Sequence, residues 1–159
     1  MNQADTVTRI LDSAEQLFAE KGFAETSLRM ITTRAKVNLA AVNYHFGSKK
    51  DLIQAVFARF LTPFCQKLNK ELDLVVEQKG EPNFQDVLGV LAKTMLTGVE
   101  TSDKYNQLSV FMRLLGLAYT QAQGHLRRFL HENYYQTYGR FIGYLKSAHP
   151  NLSSEEIFW

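Results

Sequence analysis

Apolar residues recur every three or four positions along almost the whole of this chain, and nowhere do they alternate one by one between turn residues. That spacing aligns side chains on one face of an α-helix and would scatter them over both faces of a strand, so the fold expected is all-α. From Val7 to Lys21 the stripe is Ile10, Leu11, Ala14, Leu17 and Phe18, with Thr6 placed to cap the helix and Gly22 to stop it. Thr26 or Ser27 caps a second short helix that turns Leu28, Ile31 and Ala35 inward, and a third follows Asn38. Ser48 opens the next, with Asp51 on its N-terminal dipole and Leu52, Ile53, Val56, Phe57 and Phe60 on its apolar side. Pro63 removes one backbone donor there and is expected to kink or split the helix before Phe64 to Val76 continues.

Lys79 to Asn83, with Gly80 and Pro82, reads as a linker. Beyond it, Phe84, Val87, Leu88, Leu91, Met95 and Val99 make one amphipathic helix. Leu108 to Tyr119 makes a second that is apolar almost all round and is expected to be central, and His125 to Ala148 a third, closed by Pro150. Ser153 and Glu156 form a capping box one turn before Trp159, so a helix is expected to be cut short there.

The 159 residues suit one ordinary domain or a small head on a larger body, and 45% hydrophobic with 21% charged residues is a globular composition. A net charge of +2 argues nothing about nucleic acid, but its distribution does. From Thr26 to Lys50 the chain holds Arg29, Arg34, Lys36, Lys49 and Lys50 with no acid, whereas Ala4 to Glu25 carries five acids. The single cysteine, Cys65, excludes an internal disulfide framework and suits packing in a reducing cytoplasm. No apolar run approaches a membrane span and no signal pattern opens the chain, so the expected location is cytoplasmic.

Two short helices joined by a tight turn place the second against base edges while the first braces it across the backbone. On the third helix Leu39, Ala40, Asn43 and Tyr44 fall on the outer side, and Val37, Ala41, Val42 and Phe46 face the core. A small Ala40 permits close approach to the groove, Asn43 reads or positions polar edges, and Tyr44 brings a hydroxyl to a phosphate. His45 and Lys49 add donors. Ser27 and Lys49 stand at helix starts, where free amides favour phosphate, and the Arg29 fork suits a guanine edge. The competing reading of these side chains is a solvated helix surface.

Ala14-Glu15-Gln16-Leu17-Phe18, Gly22-Phe23, Thr26-Ser27-Leu28-Arg29 and Val42-Asn43-Tyr44-His45-Phe46-Gly47-Ser48-Lys49-Lys50 resemble the TetR regulator family. The resemblance covers the first fifty to sixty residues in order and spacing. It implies a two-fold dimer with a DNA-binding head at 1–48 and a helical ligand-binding body at 49–159. It also implies DNA-facing roles for Ser27, Arg29, Leu39, Ala40, Asn43, Tyr44, His45 and Lys49. One departure stands out: where the family usually has glycine between the second and third helices, this chain has Lys36. A left-handed lysine would cost roughly 1 kcal/mol, unless the turn takes another geometry.

Phe60 to Cys65, Phe111 to Ala118 and Gln123 to Arg127 further resemble fatty-acid-responsive members of that family, which implies a long-chain fatty acid or acyl-CoA effector. Expected pocket residues are Phe111, Arg113, Leu115, Tyr119, Tyr134 and Tyr138. Such aromatic stripes also serve as plain core, and Arg113 either pairs with a buried acid or meets an anionic ligand head. The histidines are scattered, no glycine-rich phosphate loop is present and no acid pair has metal-like spacing, so neither catalysis nor a cofactor or metal is expected. The expected partners are double-stranded operator DNA, a hydrophobic effector and a second copy of the chain. The alternative is a helical acyl-ligand or protein-partner module that does not read DNA.

Overall fold

The computed structural model describes residues 3–96, 102–121 and 124–148. Among them the regular structure is entirely helical: α1 (Gln3–Glu25), α2 (Leu28–Ala35), α3 (Leu39–Phe46), α4 (Lys49–Lys79), α5 (Phe84–Leu96), α6 (Ser102–Thr120) and α7 (Gly124–Ala148). Helix α1 begins a turn earlier than Thr6, with Asp5 in its first turn, and Gly22 breaks it at φ 85°, ψ 170° before one more helical turn follows. Pro63 does not split α4, which runs on from Lys49 to Lys79. Pro63 is solvent-exposed, so its ring is not forced against a packed neighbour at that position. The capping box expected at Ser153 lies outside the described residues.

The chain divides into two compact units. The first joins residues 3–60 with 102–129, so α1, α2, α3 and the start of α4 share a core with α6. Ile10, Ala14, Phe18, Ile31, Val42, Leu52 and Phe57 are all but fully buried in it, and α6 contributes the buried Phe111, Leu114 and Ala118. Phe18, Phe23, Phe57 and Phe111 run through this core as tilted or edge-on aromatic contacts with centroids 5.3, 6.3 and 5.8 Å apart. Such geometry suits the ring quadrupoles. The second unit draws on 61–96 and 130–148, with Leu68, Leu72 and Val90 at its centre and Phe64, Val75, Leu91, Phe141 and Tyr144 packed around them.

Helix α6 is not enclosed on all sides. Its stripe of Phe111, Leu114 and Ala118 is buried, while Met112, Leu115 and Tyr119 are exposed. An apolar periphery thus did not mean a central helix here. No helix among the described residues is long and apolar enough to cross a membrane.

Candidate nucleic-acid interface

The face expected to meet DNA is assembled by three local devices. Ser27, in extended conformation, accepts the Met30 N–H on its hydroxyl at 3.2 Å and so starts α2. Asn38 does the same for α3, accepting from the Ala41 N–H at 2.8 Å. Ser48 and Asp51 close a reciprocal pair at the start of α4: the Asp51 N–H donates to Ser48 Oγ, and that hydroxyl donates back to the Asp51 carboxylate at 2.6 Å.

Between α2 and α3 the chain reverses through Lys36, which takes the left-handed conformation (φ 53°, ψ 47°) in place of a glycine. The Val37 and Lys36 N–H groups turn back to the Thr32 and Thr33 carbonyls at 3.0 and 3.3 Å, which ends α2 in a left-handed cap. Arg9 of α1 donates from one Nη to the carbonyl of Ala35 and, at 2.9 Å, to that of Lys36. A cation is thereby set on the negative end of the α2 dipole. Arg9 gave no sequence signal as a site residue, because its partners lie 26 and 27 positions away.

With the turn fixed, α3 has two unlike faces. Val42 is fully buried, whereas Leu39, Ala40, Asn43 and Tyr44 are exposed, Tyr44 to 76%. His45 is half-buried, its ring edge-on to Tyr44 with centroids 5.0 Å apart. Tyr44 and His45 border an open cleft whose other wall is Gln3, Ala4, Val7 and Thr8 of α1. Ser27 and Arg29 are exposed, and among the described residues no ion pair engages Arg29. Arg34 is different, tied to Glu20 at 3.1 Å. Lys49 is half-buried and sets its Nζ 3.4 Å from the Ala24 carbonyl. Burial lowers its pKa, with the Glu25 carboxylate pulling the other way.

Of the residues expected to line a ligand pocket, Phe111, Arg113, Leu115 and Tyr119 belong to the first unit and Tyr134 and Tyr138 to the second. Phe111 stacks on Phe60 at 3.9 Å and borders a cavity of about 70 Å³ with Glu15, Val56, Arg59 and Leu114. Arg59 bonds Asp12 at 2.5 Å across this corner, and burial pushes the Glu15 carboxyl up against the opposing pull of Arg59. Arg113 is exposed on α6 beside Gln16 and Glu20 of α1, so it is neither a buried ion-pair member nor set in an apolar interior. Leu115 and Tyr119 are exposed. Tyr134 and Tyr138 belong to the second unit, where the Tyr134 hydroxyl lies 2.9 Å from Thr62 Oγ1 and Tyr138 is 40% exposed. Cys65 is half-buried and burial raises its pKa, which disfavours the thiolate.

Known proteins share this fold and parts of this sequence. Residues 10–56 match the model of bacterial regulatory proteins of the tetR family, and residues 94–159 match the tetracyclin repressor-like C-terminal domain. A transcriptional repressor of Mycobacterium tuberculosis, Rv3405c, is 36% identical over 95 residues, which is 59% of this chain and 48% of the relative. YttP of Bacillus subtilis, a probable regulator of the helix-turn-helix type, is 35% identical over 66 residues, 42% of this chain and 32% of its own length. The chain thus spans about half or less of these relatives. Among solved structures, SCO7518 from Streptomyces coelicolor A3(2) superposes with a TM-score of 0.55 at 25% identity, covering 90% of this chain and 75% of that one. The multidrug binding protein EbrR, solved with imidazole, shares the fold with a TM-score of 0.55 at 20% identity over 95% of this chain and 72% of its own.

Proposed function

We propose that this chain, which belongs to the tetR family of bacterial regulatory proteins, binds operator DNA by seating α3 in the major groove and is released or reshaped when a hydrophobic effector binds. The observation that carries this reading is the division of α3: Val42 anchors it in the core while Leu39, Ala40, Asn43 and Tyr44 stand in solvent. Around them lie a helix start bearing Ser27, an Arg29 that no ion pair engages among the described residues, and Lys49. Ser27, Tyr44 and Lys49 grip phosphate, Arg29 and Asn43 reach base edges, Leu39 and Ala40 pack on the groove floor, and His45 supports Tyr44. Residues 1–48 act as the DNA head and 49–159 as the regulatory body. A cytoplasmic homodimer would meet two half-sites about one helical turn apart, or a small multiple of that distance.

Effector release follows if the ligand binds one arrangement of the heads better than another. A long-chain fatty acid or its acyl-CoA is the effector proposed, on the resemblance of Phe111 to Ala118 and Gln123 to Arg127 to fatty-acid-responsive members of the family. Phe111, Arg113, Leu115, Tyr119, Tyr134 and Tyr138 are its proposed contacts. Mass spectrometry of lipids carried through purification tests that part.

The DNA reading is tested by selecting duplexes from a random pool with the purified protein. Enrichment of paired half-sites is expected. Tyr44→Ala and Lys49→Ala should weaken binding to every sequence, and Arg29→Ala should relax base choice at one position per half-site. A pool in which nothing enriches overturns the operator reading.

A further inference from the structure

The buried stripe of α6 ends on an amide. Phe111, Leu114 and Ala118 are buried at helical spacing, and three residues after Ala118 comes Gln121, half-buried, its own N–H still bonded to the Leu117 carbonyl at 2.9 Å. Its side chain crosses to the break in α1. Gln121 Oε1 accepts the Phe23 N–H at 3.0 Å, a contact between residues 98 positions apart. Its Nε2 occupies the space beside Gly22, where a Cβ would stand only 2.7 Å away.

The segment held this way adjoins two of the groups proposed to grip phosphate, Ser27 and Lys49. Thr26 is fully buried and its hydroxyl shares its proton between the Gly22 and Leu17 carbonyls, at 2.8 and 3.1 Å, which ties the two ends of the 22–26 segment to each other. The Ala24 carbonyl is the rest on which Lys49 Nζ leans, and Ser27, the cap of α2, follows Thr26 directly.

We propose that Gln121 is a positioning residue for DNA binding: its amide sets the Gly22–Ser27 segment and thereby presents Ser27 and Lys49 to phosphate. A shift of the end of α6 is then felt first as a changed grip on the DNA backbone and only secondarily as changed base reading. This rests on the operator reading above and names the device by which the body acts on that site.

The test compares Gln121→Met, which keeps size and loses the acceptor, with Gln121→Glu, which keeps the acceptor. The probe is a duplex selected with the wild-type protein. Loss of one hydrogen bond's worth of positioning predicts about a fivefold weaker affinity for Gln121→Met. A shallower slope of log K against log salt should accompany it, reduced by about one for each phosphate that the protein no longer grips. Gln121→Glu should stay near wild type, and the Phe23 amide should exchange faster with solvent in Gln121→Met alone.

A purely stabilising role would lower thermal stability in Gln121→Met and leave the affinity and salt slope of the folded fraction unmoved, which overturns the proposal. Equal defects in both variants overturn it as well, as does an unchanged Phe23 exchange rate. A wild-type protein that selects no duplex removes the operator reading and this inference with it. The exchange measurement then shows whether the bridge itself exists.

Discussion

Replacing Arg9 by alanine takes away the brace on the left-handed turn. The guanidinium donates to two carbonyls, of Ala35 and Lys36, that end α2 and would otherwise lack a charged partner. A hydrogen bond to a charged group contributes about 1.5–3 kcal/mol when buried. The Arg9 side chain is 29% exposed, so roughly half of that survives screening, about 2 kcal/mol for the two bonds. The 3.7 Å pair with Asp5, one turn away on the same helix, adds about 0.3 kcal/mol. Arg9→Ala should therefore destabilise the protein by about 2 kcal/mol and lower its midpoint by about 4–8 °C, by denaturant titration and calorimetry. Lys36→Gly should recover about 1 kcal/mol of this, since glycine enters the left-handed region without the Cβ penalty. A loss below about 0.5 kcal/mol, or no recovery from glycine, would refute the claim that Arg9 holds the turn.

Thr26→Val should cost about 2 kcal/mol in urea titrations, because it leaves the Leu17 and Gly22 carbonyls without the hydroxyl in a fully buried position; an unchanged midpoint at unchanged slope counts against it. Lys49→Met should stabilise the free protein, since burial penalises the ammonium, while weakening DNA binding; melting curves and titrations on one preparation check both signs. Glu15 has its folded pKa raised above 4.5 by burial, so its ionised form is disfavoured in the fold and stability falls as pH rises from the unfolded to the folded value. Glu15→Gln should thus gain stability at neutral pH and gain nothing well below pH 4.5, read by melting against pH. His125 has its pKa lowered by burial and then by Lys50, against Asp51, and its Nε2 is buried without a hydrogen-bond partner. Protonating it costs more folded than unfolded, so stability should drop as pH falls below 6.5, and His125→Phe should flatten that drop. A parallel pH profile in the variant would exclude His125 as its source.

Those features of the head that depend on near neighbours were legible in the sequence. Ser27, one of the two caps offered, starts α2, α3 follows Asn38, Ser48 opens α4 with Asp51 in its first turn, Lys36 takes the left-handed of the two geometries left open, and the periodicity of α3 separates Val42 from Tyr44. Each is decided by a handful of adjacent residues, which is what a local pattern reports. Arg9 on Ala35, Lys49 on Ala24 and Gln121 on Phe23 are not of that kind. Their partners are brought close only when helices pack, and a polar residue on a helix surface carries no mark of which carbonyl it will find. The body misled for a related reason: α6 reads as apolar on every side, yet Met112, Leu115 and Tyr119 stay in solvent, because composition does not say how many faces of a helix have neighbours. Pro63 likewise signals a break by its chemistry, yet α4 runs through it from Lys49 to Lys79.

The compact unit that contains the head also bears on how portable the head is. Residues up to 60 share their core with 102–129, and the amide of Gln121 fills the space over Gly22. Transplanting only the first sixty residues onto a foreign body would uncover the side of Phe57 on which Phe111 packs and take the acceptor from the Phe23 N–H. A chimaera meant to keep this specificity under new control would have to carry α6 along or supply a matching glutamine from the recipient.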